Sequence, residues 1–223
     1  MEFSEEWEER YRENTNMSIW PWSDLVSYVN NYVKPLNSQL RVLELGCGAG
    51  ANIPFFQSFN ADYFGIDGSN IIINMLKKKF PDIKDNLKVG DITNEIMFKG
   101  EFDLIIDRSA LTHNSTKGIK KGLDFAYEKL KNNGKFIGVG WFSTKCSEFT
   151  KGQIKGDKFT KSFQNGPFAN IGTTHFAEKF HMIDFFKKFK ILVLDHKIIK
   201  KEIPENEHTL VATWDIVAQK NNN

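Results

Sequence analysis

Cysteine is scarce in this chain. Its 223 residues include only two cysteines, Cys47 and Cys146, which lie far apart in the sequence. Two distant cysteines predict neither a disulfide framework nor a zinc site, so we expect no metal. This usage is typical of a reducing compartment and predicts a cytoplasmic protein.

Long apolar runs and a strong charge of one sign are also missing. The acidic first ten residues lack the basic start and apolar run of a signal peptide, and no stretch is long and apolar enough to span a membrane. A formal net charge of +2 argues against electrostatic capture of DNA or RNA. We therefore expect a small-molecule partner, no nucleic acid and no membrane, with monomer and homodimer both left open.

Short apolar runs alternate with helical stretches after residue 36. This alternation predicts a parallel sheet with crossover helices in one α/β domain, residues 1–223. Before it, amphipathic stretches at 4–14 and 23–34 predict an N-terminal helical cap over residues 1–36, with Ser23 as an N-cap and Pro35 as the helix end. The predicted strands are 40–45, 63–66, 87–89, 102–106 and 135–140, and the predicted helices are 52–59, 70–79 and 116–131.

The last third of the chain has a different pattern. Residues 143–174 are polar and lack clear periodicity, which predicts a lid or acceptor-binding segment, because long loops in compact domains are usually functional. A predicted helix over 175–188 follows. Two β-rich runs, 191–201 and 209–218, are joined by a polar link and predict an antiparallel hairpin.

The strongest motif is an apolar strand that turns directly into glycines. Residues 42–50 read Val-Leu-Glu-Leu-Gly-Cys-Gly-Ala-Gly, and glycines there allow a sharp turn and close approach of a ligand. Asp67 ends the next predicted strand, where a carboxylate can accept hydrogen bonds from ribose hydroxyls. Together they predict a nucleoside-containing cofactor. Because residues 46–51 also satisfy the G-x-G-x-x-G/A pattern, a dinucleotide remains open at this point.

The segment Glu44-Leu-Gly-Cys-Gly-Ala-Gly50 resembles the first motif of class I S-adenosylmethionine-dependent methyltransferases, which carry an acid two residues before the first glycine. Residues 64–69, 89–93, 102–113 and 130–137 resemble the later motifs of that family in the same order. The resemblance implies a doubly wound, seven-stranded, mostly parallel sheet with an antiparallel C-terminal hairpin. It also implies S-adenosyl-L-methionine as cofactor and S-adenosyl-L-homocysteine as product.

The same resemblance implies roles for individual residues. A backbone cradle at the glycine turn would hold the methionine part, Asp67 would hold the ribose, and the next turns would line the adenine. Aromatic faces attract a sulfonium cation, so Tyr11 and Trp22 could cover the cofactor, although such aromatics are more often core. The implied cofactor-binding set is Trp22, Glu44, Gly46, Cys47, Gly48, Asn52, Asp67, Gly68, Ser69, Asp91, Ile92, Asp107 and Arg108.

Acceptor residues are expected beyond the carboxyl ends of the strands. His113 follows the fourth strand and is our candidate catalytic base, with a helix cap or a backbone hydrogen bond as an equally weighted alternative. The predicted substrate-binding residues are Tyr11, Trp141, Lys145 and His175. Lysines within 143–174 favour a phosphorylated metabolite or sugar. We expect methylation on oxygen, although the sequence leaves nitrogen and sulfur open as well.

Two other functions fit the glycine turn. A nicotinamide-dependent oxidoreductase would share the turn and Asp67, but Glu44 and the lack of a recognisable hydride site argue against it. A noncatalytic module that only binds S-adenosylmethionine would share every cofactor residue. The fourth-strand exit, Asp107-Arg-Ser-Ala, lacks the tetrapeptide with which amino-methylating enzymes grip a flipped base, so a nucleobase acceptor is not expected.

Overall fold

The computed structural model describes residues 5–15, 17–203 and 210–221. Its helices are α1 (Glu5–Arg12), α2 (Ser23–Tyr32), α3 (Ile53–Gln57), α4 (Asn70–Lys79), α5 (Thr116–Lys129) and α6 (Lys179–Phe185). Its strands are β1 (Arg41–Leu45), β2 (Asp62–Asp67), β3 (Leu87–Val89), β4 (Phe102–Arg108), β5 (Leu130–Phe142), β6 (Gln153–Lys155), β7 (Asp157–Ser162), β8 (Thr173–His175), β9 (Phe189–Lys200) and β10 (Leu210–Lys220). Ser4 and Thr209, with which two predicted elements begin, lie outside the described residues.

Seven strands form the main sheet in the order β3-β2-β1-β4-β5-β10-β9. The first five are parallel, and β10 pairs antiparallel with both β5 and β9. Strand side chains alternate between two apolar clusters: Leu43 and Leu45 belong to one, and Val42 to the other. A sheet covered on both faces needs nearly continuous apolar strands, which explains the sequence pattern of β1 and β4. The predicted fold class, including the C-terminal hairpin, is confirmed.

Most element boundaries lie within a few residues of their predicted positions. Two helices start with a hydroxyl cap: Ser69 accepts a hydrogen bond from the Ile72 amide, and Ser115 accepts one from the Gly118 amide. Ser23 does not cap α2. It is the first helical residue, and the cap position is held by Trp22 without a side-chain hydrogen bond.

Strand β5 begins at Leu130, five residues before its predicted start at 135. Its pairing with β4 shifts register between Phe102–Leu130 and Leu104–Lys135, so residues 131–134 form an irregular loop inside the strand. Asn133 has a φ of 63°, the left-handed conformation for which asparagine is favoured. The sequence thus predicted the strand after this turn, but it did not predict that the strand already begins at Leu130, before the turn.

Residues 143–174 contain more regular structure than their sequence suggests. They include β6, β7 and the first two residues of β8, which form a second, three-stranded antiparallel sheet. The predicted helix over 175–188 is shorter, because His175 ends β8 and α6 starts only at Lys179. Arg10 of α1 donates to the carbonyl oxygens of Ala169 and Asn170, which ties this segment to the N-terminal helix.

Arg41 forms a cluster at the amino-terminal edge of the main sheet, opposite the glycine turn. Its guanidinium lies 4.4 Å from the ring centre of Phe64 and 4.6 Å from that of Phe102. It also donates to the carbonyl oxygens of Lys99 and Glu101. Cation–π contact and hydrogen bonds thus fix the sheet at the edge away from the glycines.

Helix lengths bear on membrane association. No helix in residues 5–15, 17–203 and 210–221 is long and apolar enough to cross a membrane.

Candidate active site

A cavity of about 450 Å³ opens at the carboxyl ends of β1, β2 and β4. Ligands in open α/β sheets bind at this edge. Helix α1 and the segment before α2 cover it from the other side. Its lining residues are Trp7, Tyr11, Met17, Ser18, Trp22, Glu44, Gly46, Cys47, Gly48, Ala49, Ala51, Asp67, Gly68, Gly90, Asp91, Ile92, Arg108, Ser109, Ala110, His113, Asn114 and Phe142.

The turn after β1 forms the cavity floor. Gly46 has a φ of 66°, and a Cβ there would lie 2.2 Å from the Cβ of Ala110. The Gly46 and Cys47 amides both donate to the Ile66 carbonyl oxygen, at 2.8 and 3.1 Å. The Gly48 amide donates to Asp67 Oδ2 at 2.9 Å. These three amides have partners within the protein, so the turn at residues 46–48 is held in place by hydrogen bonds to the end of β2.

Asp67 stands at the end of β2 with both carboxylate oxygens held in place. Oδ1 accepts the Ser69 amide at 3.0 Å and Oδ2 accepts the Gly48 amide. Burial raises the pKa of Asp67, while the hydrogen bonds from Ser69 and Gly48 act to lower it. Each carboxylate oxygen accepts more than one hydrogen bond. Both therefore retain the capacity to accept a ribose hydroxyl, and this geometry fits a nucleoside cofactor.

Glu44 lies beneath the same floor and is buried. Oε1 accepts a 2.7 Å hydrogen bond from Asn52 Nδ2, and Oε2 accepts one from the Tyr63 hydroxyl. Burial raises the pKa of Glu44 to about 7, against the lowering effect of these hydrogen bonds and of the nearby Arg108 charge. Asn52 does not line the cavity, so its expected contact with the cofactor stays a prediction. In the structure, the Asn52 side chain orients Glu44.

The residues expected around adenine divide into two groups. Gly68, Asp91 and Ile92 line the cavity. Asp91 Oδ1 also accepts hydrogen bonds from the amide and hydroxyl of Thr93, which fixes this turn. Ser69 does not line the cavity, because its hydroxyl is committed to the start of α4.

The end of β4 sends its two consecutive charged residues in opposite directions. The Arg108 guanidinium faces the cavity, 4.2 Å from the ring centre of Trp22, and contacts the Ser18 hydroxyl at 3.4 Å. Asp107 points into the core, where it accepts the Leu111 amide at 3.0 Å and Trp141 Nε1 at 2.6 Å. Burial raises the pKa of Asp107 to about 7. Neither Asp107 nor Trp141 lines the cavity, so the roles expected for both stay predictions that the cavity geometry does not support.

His113 lines the cavity in a short 3-10 turn after β4. Its Nδ1 lies 3.1 Å from the carbonyl oxygen of Thr173. A carbonyl only accepts hydrogen bonds, so Nδ1 carries the proton and Nε2 is left with a free lone pair. Burial lowers the pKa of His113 to about 4, so the ring is neutral near pH 7. Trp7 and Phe142 flank it, with ring centres 5.0 and 6.2 Å away.

Two other residues expected at the acceptor lie elsewhere. Lys145 is exposed and does not line the cavity. His175 is buried in β8, where Nε2 lies 3.0 Å from the Thr116 hydroxyl oxygen, and burial lowers its pKa to about 4. Neither Lys145 nor His175 lines the cavity, whereas Tyr11 lies in the cavity wall. The substrate-binding role expected for these residues stays a prediction.

Sequence reasoning missed several lining residues, including Trp7, Met17, Ser109 and Asn114. Trp7 had a weak signal, since it lies on the amphipathic first helix. The others lie in irregular segments, where no periodicity indicates which way a side chain points.

Comparison with known proteins agrees with this geometry. Residues 42–134 match the family model of a methyltransferase domain. The phosphoethanolamine N-methyltransferase of Plasmodium falciparum (isolate 3D7) is 28% identical over 133 residues. That alignment covers 56% of this chain and 49% of the relative, so the chain spans about half the length of the curated relative it matches.

Solved structures show the same fold. A protein from Methanosarcina mazei described as an S-adenosylmethionine-dependent methyltransferase superposes with a TM-score of 0.70 at 16% identity, covering 92% of this chain and 100% of the other. One from Clostridium acetobutylicum gives 0.64 at 16% identity, covering 97% and 96%. Magnesium protoporphyrin IX methyltransferase from Synechocystis, with bound S-adenosylmethionine, gives 0.54 at 14% identity, covering 89% and 77%.

Proposed function

We propose that this chain is a class I S-adenosylmethionine-dependent methyltransferase that transfers the cofactor's methyl group to a nitrogen atom of a small molecule held beside His113. The match of residues 42–134 to a methyltransferase-domain model and the shared fold support this proposal. When bound, the cofactor supplies an electrophilic methyl group on sulfur. The residues of the chain have to align the acceptor with that methyl group and exclude water.

The cavity residues fit this cofactor. Asp67 would accept the ribose hydroxyls, and Gly68, Asp91 and Ile92 would line the adenine. The glycine turn and Arg108 would hold the methionine part, whose carboxylate suits a guanidinium partner. Tyr11 and Trp22 would add aromatic faces, which favour a cation.

The choice of nitrogen as the methyl acceptor rests on the low pKa of His113. With a pKa of about 4, its ring is a weak base but a competent hydrogen-bond acceptor at Nε2. An alcohol has to lose its proton as it attacks, which calls for a stronger base. An amine that arrives as ammonium first releases one proton to water. The neutral amine then attacks with its own lone pair, the N–CH3 bond forms as the S–CH3 bond breaks, and the excess proton passes to water without a strong base in the site. The similarity to a phosphoethanolamine N-methyltransferase points the same way.

Support for O-methylation of a sugar or phosphorylated metabolite is correspondingly weaker. That expectation depended on a base with a near-neutral pKa and on lysines within 143–174. Lys145, Lys151, Lys155 and Lys158 are exposed, and none lines the cavity. A phosphate on the acceptor would have to be recognised by other groups, of which Arg108 is the cation in the cavity wall.

Two measurements test the proposal. Calorimetric titration with S-adenosylmethionine, S-adenosylhomocysteine and NAD should give binding of the first two only. Incubation with methyl-labelled cofactor should then label ethanolamine or phosphoethanolamine in preference to the hydroxyl analogues ethylene glycol and its monophosphate. Labelled hydroxyl analogues with unlabelled amines would overturn the nitrogen assignment. Cofactor binding without transfer across a broader panel of amines and alcohols would favour a noncatalytic binding module, and binding of NAD alone would favour an oxidoreductase.

A further inference from the structure

Strand β5 contains a bulge near its carboxyl end, and its pairing with β10 continues on both sides of the bulge. Val139 and Gly140 together face the single residue Asp215 of β10, so the regular ladder is interrupted there. The Gly140 amide donates to Asp215 Oδ1 at 2.8 Å. Asp215 is 2% exposed and does not line the cavity. The bulge interrupts the main-chain pairing of the Gly140 amide with β10, and the Asp215 side chain supplies an acceptor for that amide instead.

The bulged glycine supports one wall of the cavity. Gly140 has a φ of 73°, and a Cβ there would lie 2.6 Å from Trp22 Cζ3 and 2.8 Å from Ser109 Oγ. The Ser109 hydroxyl donates to the Gly140 carbonyl oxygen at 2.7 Å. Trp22 therefore packs directly on the glycine, and the Arg108 guanidinium stacks on Trp22. We define Trp22, Arg108 and Ser109 as the stacked wall.

The second carboxylate oxygen of Asp215 connects the bulge to helix α2, which begins directly after Trp22. Oδ2 binds Lys197 Nζ and lies 3.4 Å from the Tyr28 hydroxyl. Lys197 Nζ also lies 2.8 Å from a carboxylate oxygen of Asp24, in the first turn of the helix that begins directly after Trp22. One buried carboxylate therefore links the bulge beneath the tryptophan to the helix that follows it.

We infer that Asp215 is a positioning residue that holds the stacked wall in register with the cofactor. Bulges often re-aim side chains next to active sites, and this bulge acts on Trp22 and Ser109. The inference rests on the proposed function, because the wall matters only if the cavity takes S-adenosylmethionine. It assigns a role in binding to the reversed strand β10.

The experiment compares Asp215→Ala with Asp215→Asn, measuring calorimetric dissociation constants for S-adenosylhomocysteine and acrylamide quenching of Trp22. Each protein is also made with Trp22→Phe, so that the difference isolates the Trp22 signal. Asp215→Ala should weaken binding roughly tenfold and increase Trp22 quenching. Asp215→Asn keeps an oxygen for the Gly140 amide and should restore most of the binding.

The matched control is Asp195→Asn. Asp195 faces Asp215 across the hairpin and bonds Tyr28 but not Gly140, so this variant should bind like wild type. In the Trp22→Phe background, Asp215→Ala should have little further effect on binding. Unchanged binding and unchanged quenching in Asp215→Ala would overturn the inference. If circular dichroism shows that this variant is unfolded, Gly140→Ala must reproduce the Trp22 change.

A wild-type protein that does not bind S-adenosylhomocysteine would contradict the proposed function instead. The quenching comparison would still test whether Asp215 holds Trp22. The two failures are therefore distinguishable, because one is read from the wild type and the other from the variants.

Discussion

The cofactor end and the acceptor end of the cavity are built in different ways. At the cofactor end, Glu44, Gly46, Gly48 and Asp67 lie within 24 positions of sequence and hold one another through β1 and β2. At the acceptor end, His113 is fixed by a carbonyl 60 positions away. Local sequence therefore determines the first end, whereas tertiary contacts determine the second. Substitutions of the glycines at the cofactor end should damage both fold and binding, whereas those at the acceptor end should mainly change turnover.

Gly46→Ala should have the largest effect. The new Cβ would lie 2.2 Å from Ala110 Cβ at a backbone φ of 66°. The energetic costs of overpacking and of backbone strain therefore add. We expect a loss of roughly 3 kcal/mol in unfolding free energy and about hundredfold weaker S-adenosylhomocysteine binding. Chemical denaturation and calorimetry measure these. Gly156→Ala is the matched control, because Gly156 also has a positive φ but its Cβ would meet nothing within 4 Å; it should cost about 1 kcal/mol and spare binding. Equal effects at both glycines would contradict the assignment.

Glu44 should make stability depend on pH. Its pKa is about 7 in the folded protein, above the ordinary 4.5, because burial favours the neutral acid. The stabilisation from this group is complete below pH 4.5 and is lost as pH rises through 7. Relative to wild type, Glu44→Gln should therefore gain stability across that window, by at most about 3 kcal/mol. Thermal melts at several pH values measure the difference. Tyr63→Phe removes a hydrogen bond that lowers the pKa of Glu44, so it should move the midpoint of the pH dependence to higher pH. If the stability difference between wild type and Glu44→Gln does not change with pH, Glu44 does not titrate in this window.

Asp67→Asn should weaken cofactor binding with little change in fold. The substitution removes the charge that would strengthen hydrogen bonds to the ribose hydroxyls, a loss of about 1.5 to 3 kcal/mol. We expect tenfold to hundredfold weaker binding by calorimetry. Asp62→Asn, at the opposite end of the same strand, is the control, because Asp62 pairs with Arg41 away from the cavity. Comparable losses at both aspartates would mean that the effect comes from the strand and not from the site.

His113→Gln should slow turnover about tenfold, the value of one hydrogen bond, while leaving cofactor affinity unchanged. Because the pKa of His113 is about 4, its ring stays neutral above about pH 5. The wild-type and variant profiles of turnover against pH should therefore have the same shape between pH 6 and 9. A wild-type break near pH 6.5 that disappears in the variant would restore His113 as a titrating general base.

Replacing the exposed lysines should have the smallest effect. Lys145, Lys151, Lys155 and Lys158 lie outside the cavity wall, so a quadruple alanine variant should keep the acceptor KM within about twofold. Steady-state kinetics with the best acceptor measures this. A tenfold rise in KM would bring residues 143–174 back as an acceptor-binding segment.

The parts of the site that were predictable are those in which sequence spacing fixes geometry. A glycine turn after a strand, followed by an acid at the end of the next parallel strand, places Gly46 and Asp67 at the same edge of the sheet. The alternation of apolar runs and helical stretches likewise predicted the central strands. The antiparallel hairpin of β9 and β10 was predicted from two β-rich runs joined by a polar link, and it also fitted the family resemblance. The order β5-β10-β9 was not predicted.

The side-chain placements that the sequence did not indicate have a common physical cause. Asp107 and Arg108 are adjacent in β4, so their side chains must point to opposite faces, and the sequence does not say which face holds the cavity. Trp141 was expected in the cavity but points into the core, where Asp107 accepts its indole hydrogen. Residues 143–174 have low apolar periodicity because their small sheet is partly exposed. Side-chain direction in such segments depends on contacts far away in sequence.

The Arg41 cluster gives the sheet a region that can be engineered separately. It joins β1, β2 and β4 at the end opposite the cavity, through the rings of Phe64 and Phe102. Thermostability could therefore be raised or lowered there while catalysis is left alone. Laboratory evolution toward new acceptors needs surplus stability, and substitutions at the Arg41 cluster are a way to add it.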